Sequence, residues 1–260
     1  MYRRNAVKTR LHVGENVLGC WTALGSPAVV ELLGFAGFDY IVLNQEHGLG
    51  DLGPLVAQLQ ALSATPATAV VRVPWNDHVV LKRVLDTGAE GVMIPSIETA
   101  EEARTAVAAC RYPPLGRRGA ASSSARASQY GMAADYVATC AGNLLIVLRI
   151  ESAKGVANID SILEVPGIDV IFIGPHDLSG TVGQLGNLKH PEVAGLIARA
   201  EQQARAAGTP MGTVPHPGAT WRDMFERGYR FVNAGSDVSR LRDGSLSDVR
   251  AFREVYRAQQ

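Results

Sequence analysis

The chain has little charge, few cysteines and no long apolar run. Only 19% of its 260 residues are charged, and 25 basic residues balance 25 acidic ones. A neutral chain without a basic stripe does not favour nucleic acid or an anionic membrane as a partner. No apolar stretch reaches the roughly 20 residues of a membrane-spanning helix. No signal-type apolar run follows the basic start, so a secretory leader is not expected either.

The three cysteines, Cys20, Cys110 and Cys140, are far apart and lack the spacing of a metal site. We therefore expect a reduced, cytoplasmic protein without structural disulfides. Apolar residues, by contrast, are abundant, at 47% of the chain. This composition and length predict a large core, and we expect residues 1–260 to form a single domain.

Eight short apolar segments alternate with longer amphipathic ones. The predicted strands are 17–21, 39–43, 68–73, 91–94, 144–150, 169–173, 210–214 and 230–234. The predicted helices are 28–36, 52–63, 77–87, 99–109, 156–164, 191–207, 218–227 and 245–257. Strands that are apolar throughout are typical of parallel sheets, and eight β/α units predict an α/β protein with a (β/α)8 TIM barrel. A doubly wound open sheet is the alternative, but its usual Gly-rich loop is missing after the first strand.

One long connection, residues 111–142, interrupts this alternation. Long connections in compact domains tend to be functional. We expect this one to lie over the mouth of the barrel, and the alternative is a surface loop that packs on a neighbour.

Two acidic residues follow predicted strands directly. Glu151 ends the fifth strand, and Asp177 follows the sixth after a short turn. Side chains at the carboxyl ends of barrel strands point into the site, so these two carboxylates could share one divalent cation. The alternative is that each carboxylate pairs with an arginine.

Other strand ends carry polar residues. His47, after the second strand, is a candidate general base, because an unperturbed histidine titrates near neutral pH. Arg72, on the third strand, suits a carboxylate or enolate ligand, although an ion pair with an acidic neighbour is the alternative. Arg149 lies two residues before Glu151, so both side chains project the same way.

The turn Gly174-Pro175-His176 could present backbone N–H groups to a carboxylate. Trp21 and Val214, which end the first and seventh strands, are candidate substrate contacts. No lysine lies on a predicted barrel strand, which argues against Schiff-base chemistry.

Taken together, these motifs resemble the HpcH/HpaI family of metal-dependent (class II) pyruvate aldolases, including 2,4-dihydroxyhept-2-ene-1,7-dioate aldolase. The resemblance covers nearly the whole chain. It rests on the order and spacing of segments 19–21 (GCW), 46–48 (EHG), 72–74 (RVP), 111–119 (RYPPLGRRG), 150–152 (IES) and 173–179 (IGPHDLS).

The resemblance implies a (β/α)8 barrel that assembles as a hexamer, a trimer of dimers with a swapped C-terminal helix. It implies that Glu151 and Asp177 bind Mg²⁺, Mn²⁺ or Co²⁺, which would hold a small keto acid such as pyruvate. His47 would be the base and Arg72 would stabilise the enolate, which adds to an aldehyde. The backbone around Gly174 would hold the carboxylate of the keto acid.

Three residues depart from the family pattern. Asn44 stands where Asp is usual, Arg149 where Gln is usual, and His176 where a small residue is usual. An extra guanidinium beside a metal-binding Glu opposes a cation by like charge, or could hold a second substrate carboxylate. Two alternatives to an aldolase therefore stay open: an aldolase-fold citrate synthase of a siderophore pathway, which joins oxaloacetate with acetyl-CoA, and a non-catalytic barrel that binds a carboxylate.

Overall fold

Eight parallel strands close into a barrel in chain order, β1 pairing with both β2 and β8. The computed structural model describes residues 2–256. The strands are β1 Val17–Thr22, β2 Tyr40–Asn44, β3 Thr68–Arg72, β4 Gly91–Ile94, β5 Leu145–Ile150, β6 Val170–Ile173, β7 Met211–Thr213 and β8 Phe231–Ser236. The predicted (β/α)8 barrel and its eight strands are therefore confirmed, each strand end lying within two residues of its expected position.

The helices surround this barrel. They are α1 Ala6–His12, α2 Pro27–Phe35, α3 Leu52–Leu62, α4 His78–Asp86, α5 Ala100–Ala109, α6 Tyr136–Asn143, α7 Ala153–Ala157, α8 Ile159–Leu163, α9 Pro175–Thr181, α10 Pro191–Ala206, α11 Trp221–Glu226 and α12 Asp237–Tyr256, with a 3₁₀ turn at Arg126–Ser128. Within residues 2–256, no helix combines the length and apolarity needed to cross a membrane.

The helix predictions differ from the structure in three respects. The predicted helix 156–164 is two short helices, α7 and α8, and the last helix begins eight residues earlier than expected, at Asp237. Residue 257, its predicted end, lies outside the described residues. Helices α1, α6 and α9 were not predicted, since each has no more than eight residues and gives little periodic signal.

The interior of the barrel is filled by alternate residues of the strands. On β5, Leu145 and Val147 lie in this inner cluster, while Leu148 and Ile150 pack outward against the helices. Helix α1 contributes Val7 and Leu11 to the inner cluster and so closes the amino end of the barrel. Because α1 packs across the amino end, polar residues of the interior can meet a ligand at the carboxyl end of the strands.

Aromatic rings occupy much of this interior. The ring of Tyr40 is fully buried and stacks on Phe231, with ring centroids 3.8 Å apart. It also covers Gly19 so closely that a Cβ at residue 19 would lie 2.2 Å from the Tyr40 ring. A side chain on residue 19 and the Tyr40 ring therefore cannot both occupy their present positions.

The expectation that residues 111–142 cover the mouth of the barrel is wrong. This segment follows α5, which runs from the mouth to the amino end, so the chain is already at the opposite end when the segment begins. Arg118 Nη2 contacts Asp86, the last residue of α4, at 2.7 Å, and Arg126 Nη1 donates to the carbonyl of Thr87, the next residue, at 2.7 Å. The segment therefore packs at the amino end of the barrel and not over the site.

We expect Gly19→Ala to destabilise the protein by about 1–3 kcal/mol, the usual cost of forcing extra volume into a packed core. The reason is the contact between the added methyl and the buried Tyr40 ring. Urea unfolding at fixed protein concentration measures the difference.

Gly195→Ala is the matched control. Gly195 lies inside α10, is exposed, and has open space around the position of an added Cβ. Alanine favours helix over glycine by about 0.8–1.0 kcal/mol, so this variant should be as stable as the native chain or more stable. Equal stability of both variants would contradict the tight contact at residue 19.

Candidate active site

The inward-facing residues change from apolar to charged as the strands approach the mouth. On β5, Leu145 and Val147 are followed at the same two-residue interval by Arg149 and then Glu151. On β3, Val70 is followed by Arg72. The site is therefore one layer of polar side chains resting on an apolar floor. The predicted common direction of Arg149 and Glu151 agrees with this arrangement.

Arg149 is the centre of the site. Its side chain is 6% exposed, and its Nη2 lies 2.6 Å from Glu151 Oε2 and 3.0 Å from Asp177 Oδ2. Its Nη1 lies 3.8 Å from Glu46 Oε2. The structure thus brings Glu151 and Asp177 together, as predicted, but it does so around a guanidinium.

Glu46 is a site residue that sequence reasoning quoted within a motif without assigning it a role. Its carboxylate forms an ion pair with Arg72, and burial raises its pKa above the ordinary value, a rise that Arg149 opposes. The signal that could have found it is its position two residues after Asn44, which continues the inward-facing set of β2. Arg72 therefore faces an acidic neighbour, which was the alternative considered for this residue.

Asn44 does not orient the imidazole of His47. Its Oδ1 accepts hydrogen bonds from the backbone N–H groups of Glu46 and His47, at 3.1 and 3.2 Å. Asn44 therefore fixes the turn that follows β2. The imidazole lies at the rim with 66% of its side chain exposed, and its Nε2 is 3.5 Å from Glu46 Oε1. Glu46 is the acid that accompanies this histidine.

Ser96 is the second residue that sequence reasoning missed. Its backbone N–H donates to Glu151 Oε1 at 2.7 Å, and it does so from a left-handed conformation with φ of 55°. A non-glycine residue in this conformation is uncommon, and no feature of the sequence predicts it.

Burial raises the pKa of Glu151 to about 7, although Arg149 and the Ser96 N–H oppose the rise.

The turn after β6 forms the wall beside Glu151. A Cβ at Gly174 would lie 2.7 Å from Arg149 Nη2 and 2.9 Å from the Cβ of Glu151, so only glycine fits there. Pro175 is buried as the first residue of α9, and His176 is exposed. Among residues 2–256, no side chain caps the start of α9, so its first N–H groups remain available.

Aromatic residues line the apolar side of the site. Trp21 packs edge-on against Phe172, with centroids 5.9 Å apart, and the guanidinium carbons of Arg72 and Arg149 lie 5.4 and 6.0 Å from its ring centre. Val214, like Trp21, is half-buried and packs against the inner cluster.

Two buried nitrogen atoms of Arg149, Nε and Nη1, have no hydrogen-bond partner among residues 2–256, and Nη1 lies 3.8 Å from Glu46 Oε2. Buried polar groups are normally paired, so these two atoms indicate space for a polar ligand. No group of three His, Cys, Asp or Glu side chains in the described chain could hold a metal ion by itself. Two carboxylates with substrate and water oxygens would nonetheless suit a hard divalent cation.

Comparisons with known proteins show the family and the fold that this chain shares. Residues 17–244 match the model of the HpcH/HpaI aldolase/citrate lyase family. The chain is 44% identical to the 5-keto-4-deoxy-D-glucarate aldolase of Salmonella paratyphi A over 250 residues, which cover 96% of this chain and 97% of that protein. It also resembles the crystal structure of an HpcH/HpaI aldolase/citrate lyase family protein from Burkholderia cenocepacia. That match has a TM-score of 0.91 and 35% identity, and covers 96% of this chain and 99% of the other.

The citrate synthase SbnG has a similar structure but a more distant sequence. Its TM-score is 0.86 and its identity is 23%, with 96% of this chain and 98% of that chain covered. At this identity the likeness concerns the fold alone.

We expect the buried carboxyl of Glu151 to make the metal-free protein less stable as the pH rises. Between pH 4.5, its ordinary pKa, and about 7, the native state keeps a proton that the unfolded state has released. Stability therefore falls through this window. The free energy of unfolding of Glu151→Gln minus that of the native chain should rise over the same window and level off above it. Urea unfolding of metal-free protein at a series of pH values measures this difference, and a flat or falling difference would contradict the raised pKa.

Proposed function

The chain belongs to the HpcH/HpaI aldolase/citrate lyase family, and we propose that it works through a pyruvate enolate, to which a divalent metal ion would supply Lewis-acid stabilisation. It is an aldolase, a carbon–carbon lyase that acts on hydroxy keto acids. The observation that carries the mechanism is the meeting of Glu151 and Asp177 at one point of the mouth, beside Arg72 and His47. The reaction is the cleavage or formation of 4-hydroxy-2-keto acids.

Glu151 and Asp177 would hold a divalent ion, Mg²⁺, Mn²⁺ or Co²⁺. Both are oxygen donors, which these ions prefer, and Glu151 Oε2 and Asp177 Oδ2 lie close to the same atom, Arg149 Nη2, at 2.6 and 3.0 Å. When bound, the ion would act as a Lewis acid on the keto acid.

The residues of the chain would divide the remaining work. The free N–H groups at the start of α9, around Gly174 and His176, would bind the carboxylate of the keto acid. Arg72 would lie against the keto oxygen and stabilise the negative charge that develops there. In cleavage, His47 would accept the proton of the 4-hydroxyl, the C3–C4 bond would break, and the products would be an aldehyde and the enolate of pyruvate.

His47 would move the proton at the methyl carbon of pyruvate. In cleavage it would return a proton to the enolate, and in synthesis it would remove one. Glu46 Oε1 lies 3.5 Å from His47 Nε2 and would help to position the imidazole. Trp21, Pro175 and Val214 would form the apolar wall of the substrate pocket. Arg149 would contact the substrate from below.

We propose that the substrates are dicarboxylic, as in the aldolases of 5-keto-4-deoxy-D-glucarate to which this chain is similar. Cleavage of such a compound gives pyruvate and an aldehyde that carries a second carboxylate. A site with two buried guanidiniums, Arg72 and Arg149, is suited to an anionic substrate. The citrate-synthase alternative is not favoured, because the relatives at 42–44% identity are aldolases.

Asp177→Asn and Glu151→Gln should each lower metal-dependent aldol cleavage by at least about 10²-fold, because a Lewis acid supplies several kcal/mol to the reaction. The measurement is pyruvate release from a 4-hydroxy-2-keto acid with and without added Mn²⁺.

The control is Asp160→Asn, which removes a carboxylate from the exposed surface of α8. It should leave the rate within about two-fold of the native value, as is usual for surface changes outside a site. A native rate in either ligand variant would remove the metal assignment.

We further propose that α12 is exchanged between protomers, in a dimer that assembles further into a hexamer. Of its described residues only Asp237 is buried, and its carboxylate accepts the backbone N–H groups of Ala23 and Leu24 at 3.0 Å. The helix is thus anchored at its start. The large apolar side chains that it exposes are Val238, Leu241, Leu246, Val249, Phe252, Val255 and Tyr256. Leu32 and Phe35 on α2, 66% and 64% exposed, offer an apolar surface to a partner.

Phe252→Asp should therefore lower the oligomeric state, because it places a charge in an apolar contact. Light scattering coupled to size exclusion measures the mass. Ser247→Asp adds the same charge to the opposite face of α12 and should leave the mass unchanged. An unchanged mass for Phe252→Asp would exclude this face from the assembly.

A further inference from the structure

Arg149 cannot leave the site when a cation enters it. Its side chain is 6% exposed, and its guanidinium carbon lies 6.0 and 5.7 Å from the ring centres of Trp21 and Phe172. The backbone at Gly174 passes so close that even a Cβ there would approach Nη2 to 2.7 Å. The positive charge is therefore a permanent part of the site, whatever small rotation the guanidinium makes.

The charges of this layer do not balance by themselves. Three carboxylates, of Glu46, Glu151 and Asp177, surround two guanidiniums, of Arg72 and Arg149. One negative charge is in excess when all five groups are ionised. A divalent cation alone turns this into an excess of one positive charge, and a keto acid with one carboxylate then restores neutrality.

With glutamine at residue 149, the net charge of the site would differ at each step of ligand binding. The layer would start with two negative charges in excess, and the divalent cation alone would neutralise it. The keto acid would then enter a neutral site. The side chains of Arg149 and Glu151 are only 6% and 7% exposed, so a difference of one unit charge beside them is felt more strongly than in water.

On this basis, we propose that Arg149 couples the binding of the divalent metal to that of the keto acid. Each of the two ligands binds tightly only when the other is bound. This inference rests on the proposed metal-dependent function and adds to it a role for a residue that touches both proposed ligands, Glu151 and Asp177. Coupling between two ligands is reciprocal, so the keto acid should tighten metal binding by the same factor as the metal tightens keto acid binding.

The experiment is calorimetric titration of the complete chain with Mn²⁺, in the absence and in the presence of saturating pyruvate, above the pKa of Glu151. The ratio of the two dissociation constants is the coupling factor. Chelation of pyruvate by the metal contributes to this factor in every variant, so the informative quantity is its change on substitution. No turnover is involved in this measurement.

In Arg149→Gln, Mn²⁺ alone should bind at least about ten-fold more tightly than in the native chain, and the coupling factor should fall by at least about ten-fold, within the usual range of coupling between sites. Arg149→Lys keeps the charge without the planar fork and should keep a coupling factor close to the native one. If lysine behaves like glutamine, the charge account is wrong.

Lys154→Gln is the matched control for the loss of one positive charge. Lys154 lies three residues after Glu151, is 61% exposed at the side chain, and pairs with Glu98 at 2.9 Å. Water and salt screen such a charge, so this variant should leave the coupling factor within about two-fold. Circular dichroism of each variant verifies the fold.

The outcomes separate the two proposals. Equal coupling factors in the native chain and Arg149→Gln, with clear Mn²⁺ binding in both, would overturn the role of Arg149 and leave the metal-dependent function standing. Absence of Mn²⁺ binding from both, even with pyruvate present, would overturn the proposed function itself.

Discussion

A guanidinium at the bottom of a polar layer, resting on aromatic rings, is stable only if carboxylates surround it, because an unpaired buried charge is costly. Arg149 meets this condition through Glu151, Asp177 and the more distant Glu46. The same carboxylates are the groups proposed to bind a cation. One set of oxygen atoms would then both compensate a buried arginine and bind a metal, and each ligand that enters would change the compensation.

The barrel makes this arrangement possible by simple alternation. Because every second residue of a strand faces inward, the sequence Leu145, Val147, Arg149, Glu151 changes from apolar to ionic within the length of β5. Apolar side chains below, closed by α1, exclude water from the floor. The backbone of the turns at the carboxyl end completes the site. Gly174 leaves room for the guanidinium, and the Ser96 N–H donates a hydrogen bond to Glu151.

The sequence predicted what depends on periodicity and on strand ends. The eight strands, the barrel, and the meeting of Glu151 and Asp177 follow from apolar runs and the residues just after them. It did not predict what depends on where a loop returns. Residues 111–142 were expected over the mouth, although a segment between α5 and β5 must lie at the amino end. Ser96 was missed because a left-handed backbone at a serine has no compositional signal.

The departure at Asn44 has a structural consequence that differs from its first interpretation. The amide accepts two backbone N–H groups of the turn and does not approach the imidazole, so the loss of an acid at residue 44 does not leave His47 without one. Glu46 supplies the acid and pairs with Arg72 as well. One carboxylate therefore contacts both residues. Its removal would leave the buried guanidinium of Arg72 without this ion pair and the exposed imidazole of His47 without its acidic neighbour.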